Sequence, residues 1–191
     1  MDSDWVTKGL SSASETMSEA ARCCTADVQA AADLVVECLK GGGKLLLCGN
    51  GGSAADAQHI AAEMSVKMKL VRAPMAAVAL TTNSSLLTAQ ANDLGFDTVF
   101  SRQVASLGRK GDVLVAISTS GNSPNILEAV AAARENGIKV LGLAGCGGGK
   151  LAPLCDIAVV APSGDVPRIQ EVHIAVGHLI CEYAEAALFG V

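Results

Sequence analysis

Five short apolar runs punctuate the chain, at residues 44–48 (KLLLC), 76–80, 112–117, 139–143 and 157–161, each separated from the next by sequence with helical periodicity. Strands that are apolar on both faces must be covered on both faces, and strands that alternate with helices run parallel. The spacing therefore predicts a five-stranded parallel sheet with helices on both faces. Helices are expected over residues 53–68, 84–91, 97–107, 123–136 and 167–189. Ahead of the first strand, apolar positions recur at helical spacing from about residue 11 to residue 40, among them Met17, Ala20, Cys24, Val28, Ala31, Val35 and Cys38. Gly41-Gly42-Gly43 ends that run. One long amphipathic N-terminal helix is predicted, with a face for a partner as well as one for its own domain. No repeat, low-complexity tract or Pro-rich linker follows. The chain reads as an N-terminal helical extension over residues 1–40, packing in an oligomer, and a single α/β domain over residues 41–191.

Composition narrows the partners. Half of the 191 residues are hydrophobic, which supplies a core and excludes intrinsic disorder. Fourteen Lys and Arg against 19 Asp and Glu leave a net charge of -5 with no basic run, which argues against nucleic acid or an anionic membrane as main partner. Uncharged stretches such as residues 73–92 are broken by Thr, Ser, Asn and Gln, and none reads as a spanning helix, which needs about 20 predominantly apolar residues. With only 17% charged residues, the apolar surplus suggests surface buried by self-association. The acidic start, MDSDW, has no apolar run behind it and is not a signal peptide. Seven cysteines, an odd number without a CxxC, read as reduced and mostly buried thiols of a cytosolic protein; Cys38, Cys48, Cys155 and Cys181 sit among aliphatic residues.

In such folds ligands bind beyond the carboxyl ends of the strands. Two loops there combine small residues and hydroxyls with the start of a helix: Gly49-Asn50-Gly51-Gly52-Ser53 and Ser118-Thr119-Ser120-Gly121-Asn122-Ser123. Neither is a P-loop or a GxGxxG motif. Free backbone amides and the positive end of the helix dipole favour an anion at such a place. The hydroxyls of Ser118, Thr119, Ser120 and Ser123 can donate to phosphate oxygens without a lysine, and Ser123 before Pro124 is a good N-cap. A third loop, Gly145-Cys146-Gly147-Gly148-Gly149, reads as a turn.

Chemistry could come from the three histidines. His59 and Glu63, four residues apart on one helix, share a face, and Asp56 lies one turn earlier. Taken alone, His59 and Glu63 read as a solvated helix pair sooner than as metal ligands. Gln170 and His178 lie about 80° apart around the last helix. His173 competes with His178, and spacing does not choose between them.

The two loops resemble the signatures of the sugar-isomerase (SIS) domain, specifically those of the phosphoheptose isomerases. The similarity continues through Ala89-Gln90-Ala91-Asn92-Asp93, Arg102-Gln103-Val104, Leu151-Ala152-Pro153-Leu154-Cys155-Asp156 and Pro167-Arg168-Ile169-Gln170-Glu171, and covers about residues 41–186. The resemblance implies a flavodoxin-like SIS domain and a cytoplasmic homotetramer whose long terminal helices pack centrally. It implies a zinc ion on His59, Glu63, Gln170 and His178, and an acid–base pair of Glu63 and His178. The implied reaction converts sedoheptulose 7-phosphate to a heptose 7-phosphate through an enediol, supplying ADP-heptose for lipopolysaccharide core. The phosphate would lie in the 118–123 loop, with Asn50, Gly51, Gly52, Ser53, Asp56, Asn92, Asp93 and Gln170 near the sugar.

The sequence departs from the family pattern at Met64-Ser65-Val66-Lys67-Met68, where relatives often carry Gly-Arg-aromatic, and at Val166-Pro167, where many offer a hydroxyl or an acid. Lys67 keeps a charge but lacks arginine's fork. Two rivals share the domain: a non-catalytic tetramer that binds a replication initiator, of the DnaA initiator-associating type, and a regulatory sugar-phosphate sensor. The first lacks the acid and imidazole at the positions of Glu63 and His178, and the second is usually attached to a DNA-binding module. The isomerase is the expectation.

Overall fold

The computed structural model describes residues 3–190. Two helices precede the first strand, α1 (Asp4–Cys23) and α2 (Thr25–Lys40), where the apolar pattern predicts one. The chain bends at Cys24, whose buried thiol donates to Val160 O at 3.3 Å. Periodicity counts residues and not axis direction, so the stripe runs through the bend unbroken. β1 (Leu45–Gly49), α3 (Gly52–Ser65), β2 (Ala77–Ala79), α4 (Ser84–Leu94), α5 (Ser101–Leu107), β3 (Val113–Ser118), α6 (Pro124–Glu135), β4 (Lys139–Ala144), β5 (Ile157–Val160) and α7 (Val166–Phe189) follow. Each apolar run forms a strand within one residue of the predicted ends. The stretch 97–107 divides into a 3-10 turn, Phe96–Thr98, and α5, with buried Val99 and Phe100 between them.

All five strands are parallel, in the order β2-β1-β3-β4-β5. This is the flavodoxin-like order, and the winding reverses between β1 and β3, which opens a crevice beyond their carboxyl ends. Successive side chains of a strand face opposite ways. Leu45 and Leu47 of β1 therefore join the layer of α2, α3 and α7, while Leu46 and Cys48 join that of α5 and α6. α2 belongs to the first layer, with Ala31, Ala32, Val35, Val36 and Cys38 buried. At the opposite end of the sheet, Lys44 is tied to Asp112 and Lys139 to Asp156.

By length and composition α7, 24 residues long, could cross a membrane, which the sequence reading does not anticipate. Its apolar residues serve the core: Ile169, Val172, Val176, Ile180, Cys181 and Ala184 are buried. All seven cysteines are free thiols. Burial pushes the Cys48 thiol up to about 12 and the Cys38 thiol up to about 11.

Candidate active site

Both loops lie at the crevice. Gly51 takes φ 55°, the left-handed region that glycine tolerates, and turns the chain into α3. A Cβ on Gly49 would sit 2.5 Å from Ser53 O, so only glycine lets the loop close on buried Ser53. Asn50 and Asn125 exchange amide hydrogen bonds, Nδ2 to Oδ1, at 2.9 and 2.8 Å. This clasp joins the glycine loop to the first turn of α6 across the point where the winding reverses.

In the second loop, the Ser118 and Ser123 hydroxyls meet at 3.0 Å. Ser123 occupies the N-cap position of α6, but its side chain does not cap the helix, contrary to the expectation. The hydroxyl turns to Ser118 instead. Thr119 is half-buried and Ser120 exposed, with the Ser120 hydroxyl accepting from Asn122 N at 3.2 Å. The glycine turn at 145–149 is the bed of this loop: Gly145 N donates to Thr119 O at 3.1 Å and Leu151 N to Gly121 O at 2.9 Å. A Cβ on Gly149 would lie 2.5 Å from Ser120 O.

α3 and α7 both start at the carboxyl end of the sheet and run side by side. At that end the Gln170 amide covers Gly52; a Cβ there would lie 2.9 Å from Gln170 Cδ. Further along, Gly177 lets the helices approach, since a Cβ on it would lie 2.7 Å from Ile60 Cδ1. The approach brings the His59 and His178 rings together, Nε2 to Nε2 at 3.0 Å. Which nitrogen donates and which accepts depends on the tautomers of the two rings. Glu63 Oε1 stands 3.5 Å from His59 Nε2. His59 is 49% exposed and Glu63 24%, leaving the group open on one side. Asp56, half-buried one turn above His59, has its Oδ2 buried without a hydrogen-bond partner. Burial pushes its carboxyl above the ordinary range, partly countered by His59. An orphaned carboxylate oxygen beside the glycine loop suits a sugar hydroxyl.

His178 is thus the histidine that meets His59. His173 lies fully buried in the core, its Nε2 2.9 Å from Ala144 O, and burial pulls its pKa down. Asn92 and Asp93 are exposed at the end of α4 and bond to each other, Asn92 Nδ2 to Asp93 Oδ1 at 2.8 Å. Lys67 is exposed just beyond α3, and Val166 and Pro167 are exposed in the first turn of α7.

Among the described residues no three His, Cys, Asp or Glu side chains are grouped so as to hold a metal ion. The open trio of His59, Glu63 and His178 nevertheless has suitable donors. Nitrogens about 2.0–2.1 Å from a tetrahedral zinc stand roughly 3.3 Å apart, close to the separation of the two rings, and imidazole and carboxylate are ordinary zinc ligands. Glutamine is a weaker one, and here the Gln170 amide lies at the glycine loop.

Sequence reasoning misses three residues at this site. Asn125 gives no signal beyond its place after Ser-Pro. Arg72 and Glu185, whose side chains are each 2% exposed, form an ion pair that packs α7 on the end of α3. Neither position marks itself in the sequence, because a buried charge pair has no periodicity of its own.

The sequence model of the SIS domain matches residues 10–145. A phosphoheptose isomerase of Rhodospirillum rubrum is 57% identical over 165 residues, 86% of this chain and 88% of that protein. The solved phosphoheptose isomerase GmhA from Neisseria gonorrhoeae superposes with a TM-score of 0.91 at 47% identity, covering 96% of this chain and 98% of its own. That from Francisella tularensis gives 0.93 at 37% identity over the same shares. With its flavodoxin-like sheet, paired loops and histidine pair, the chain belongs to the phosphoheptose isomerase family of SIS-domain proteins.

Proposed function

We propose that this protein is an aldose–ketose isomerase that converts D-sedoheptulose 7-phosphate to D-glycero-D-manno-heptose 7-phosphate, the first step towards ADP-heptose for lipopolysaccharide core. The observation that carries the reading is the meeting of His59, His178 and Glu63 on two helices that start beside the serine loop. The Ser118, Thr119, Ser120 and Ser123 hydroxyls and the α6 N-terminus hold the phosphate. Asn50, Gly51, Gly52, Ser53, Gln170 and the orphaned Asp56 oxygen orient the sugar, with Asn92 and Asp93 as further contacts. The seven steps along α3 from Gly52 to His59 rise about 10 Å, which suits a long sugar anchored by a phosphate at one end.

Glu63 takes the proton from C1 of the ketose, and the electron pair forms the enediol double bond. His178 protonates the oxygen on C2 and accepts the proton of the C1 hydroxyl; return of the first proton to C2 leaves the aldehyde. General acid–base groups of this kind contribute about 10²–10⁴-fold each. Remote phosphate binding positions C1 for the transfer. Zinc on His59, Glu63, Gln170 and His178 would polarise the carbonyl and hydroxyl oxygens as a Lewis acid. At 3.5 Å from His59, beyond hydrogen-bond length, Glu63 is free to act as the base. A tight ligand cannot also be a free base, so either Glu63 moves between the two roles or one of the two assignments is wrong.

We further propose a cytoplasmic homotetramer, in which residues 1–40 pack on partner copies as well as on their own domain. The test is an isomerisation assay on sedoheptulose 7-phosphate with the parent, Glu63→Gln and His178→Ala, with zinc or chelator added. Both variants should lose about 10²-fold or more in kcat. A folded, zinc-supplied parent without turnover would sink the reading in favour of a ligand-sensing or protein-binding SIS domain.

A further inference from the structure

The carbonyls of a last helical turn have no partner within the helix. At the end of α3 Arg72 supplies one: Nη2 donates to Glu63 O at 2.8 Å and Nη1 to Met64 O at 2.7 Å. The same guanidinium donates from Nε to Glu185 Oε1 at 3.0 Å. Glu185 follows His178 by two helical turns on α7 and so shares its face. The Glu185 carboxylate also accepts from the amides of Met68, Lys69 and Leu70, at 2.8, 2.9 and 3.1 Å. Burial alone would raise its pKa; these amides and Arg72 outweigh that and hold it below the usual carboxylate range. The Phe189 ring covers the guanidinium, its centroid 5.7 Å from Cζ.

A buried ion pair adds little stability over well-packed apolar residues, and its best-attested use is to fix register. Here the register in question is that of the helix carrying Glu63 against the helix carrying His178. Gln170 over Gly52 and Gly177 under Ile60 fix the spacing nearer the crevice. At the Glu63 end of α3 the clamp acts together with a bond from Met75 N to Met64 O at 3.1 Å and the packing of buried Met64.

We infer that Arg72 and Glu185 are positioning residues for the isomerisation, bolting the end of α3 to α7 and thereby setting where the Glu63 carboxylate stands against the His59–His178 pair. This rests on the acid–base reading of Glu63 and His178 given above. The serine loop, built on β3 and α6, makes no bond to the clamp, so disturbing the clamp should change turnover and spare phosphate binding.

Arg72→Lys keeps a charge beside Glu185 but loses the planar fork, and Glu185→Gln keeps the shape but loses the charge. Both are to be compared with the parent by steady-state kinetics on sedoheptulose 7-phosphate, thermal unfolding and imidazole 15N NMR. The chain has three histidines, and His173 in the core is an internal control. A catalytic group displaced by about an ångström costs about 100-fold, so kcat should fall about tenfold to a hundredfold. KM should stay within about threefold, because substrate binding is not the step disturbed. The ring resonances of His59 and His178 should shift while those of His173 stay. The inference is overturned if kcat in the folded variants stays within about twofold of the parent, or if the His59 and His178 resonances do not move. It is equally overturned if Arg72→Lys unfolds or raises KM as much as it lowers kcat, since the clamp is then merely structural. A parent inactive on this sugar sinks the isomerase reading alone, and the ring resonances then decide whether the clamp sets the geometry.

Discussion

Gly177 stands in the middle of α7, where glycine is less favourable than alanine by about 1 kcal/mol. It is needed because a methyl group would lie 2.7 Å from Ile60 Cδ1. Gly177→Ala should therefore destabilise the protein by about 1–3 kcal/mol through overpacking, against the propensity gain. It should also lower kcat by prising His178 from His59; thermal denaturation and the isomerase assay check both. Ser118 and Ser123 are bonded to each other, so removing both hydroxyls leaves neither orphaned. The Ser118→Ala/Ser123→Ala variant should keep the parent's ligand-free Tm and lose the thermal shift given by a sugar phosphate. A fall in ligand-free Tm would show that the pair is structural.

At the scale of elements, the amino ends of the strands are pinned by a repeated device. Asp112, ahead of β3, accepts from Lys44 Nζ at 2.6 Å, Lys44 N at 3.0 Å and Arg109 N at 2.8 Å, tying β1 to β3. Asp156, ahead of β5, accepts from Lys139 Nζ at 2.6 Å and Val140 N at 2.8 Å, tying β5 to β4. Burial works to raise both carboxyls, but the lysine and amide donors outweigh it and hold them below the ordinary value of 3.8. A carboxyl with a depressed folded pKa contributes its stability fully above the unfolded value and loses it as pH falls through the folded one. Asp112→Asn leaves one oxygen for three donors and should cost about 1–3 kcal/mol at neutral pH. The difference in stability between parent and variant should shrink as pH drops below about 4. A difference that stays constant down to pH 2 would mean that charge plays no part in the tie.

Over the whole molecule, α1 is conspicuous because it is amphipathic and yet only Ala20 on it is buried. Trp5 is 63% and Leu10 69% exposed. A groove of about 490 Å³ between α1, α2 and α7 is lined by Met17, Val28, Val176 and Leu179 among others. Apolar surface of this kind is what the low charge content foreshadows, and it supports the tetramer proposed above. Light scattering of the purified protein should give four times the 19.3 kDa chain mass. Leu10→Glu should shift the population towards smaller species, and a monomeric parent would remove the tetramer and with it the role given to residues 1–40.

The sheet was legible in the sequence because burial on both faces leaves an unbroken apolar run at every strand, and helical periodicity marks what lies between. The serine loop proposed to hold the phosphate was legible because its chemistry is local: hydroxyls, a glycine and the N-cap of a helix lie within six successive residues, 118–123. The bend at Cys24 was not, since an apolar stripe continues through a change of axis. The choice between His173 and His178 followed from the family resemblance, and spacing alone left it open. Only the tertiary structure gave that choice a physical basis, turning one ring to Ala144 O in the core and the other to His59 on another helix. The Asn50–Asn125 clasp and the Arg72–Glu185 pair were decided the same way, joining residues 75 and 113 positions apart. Contacts local in the chain leave a pattern in it. Contacts made by packing two helices or two loops depend on how the whole core closes, and leave none.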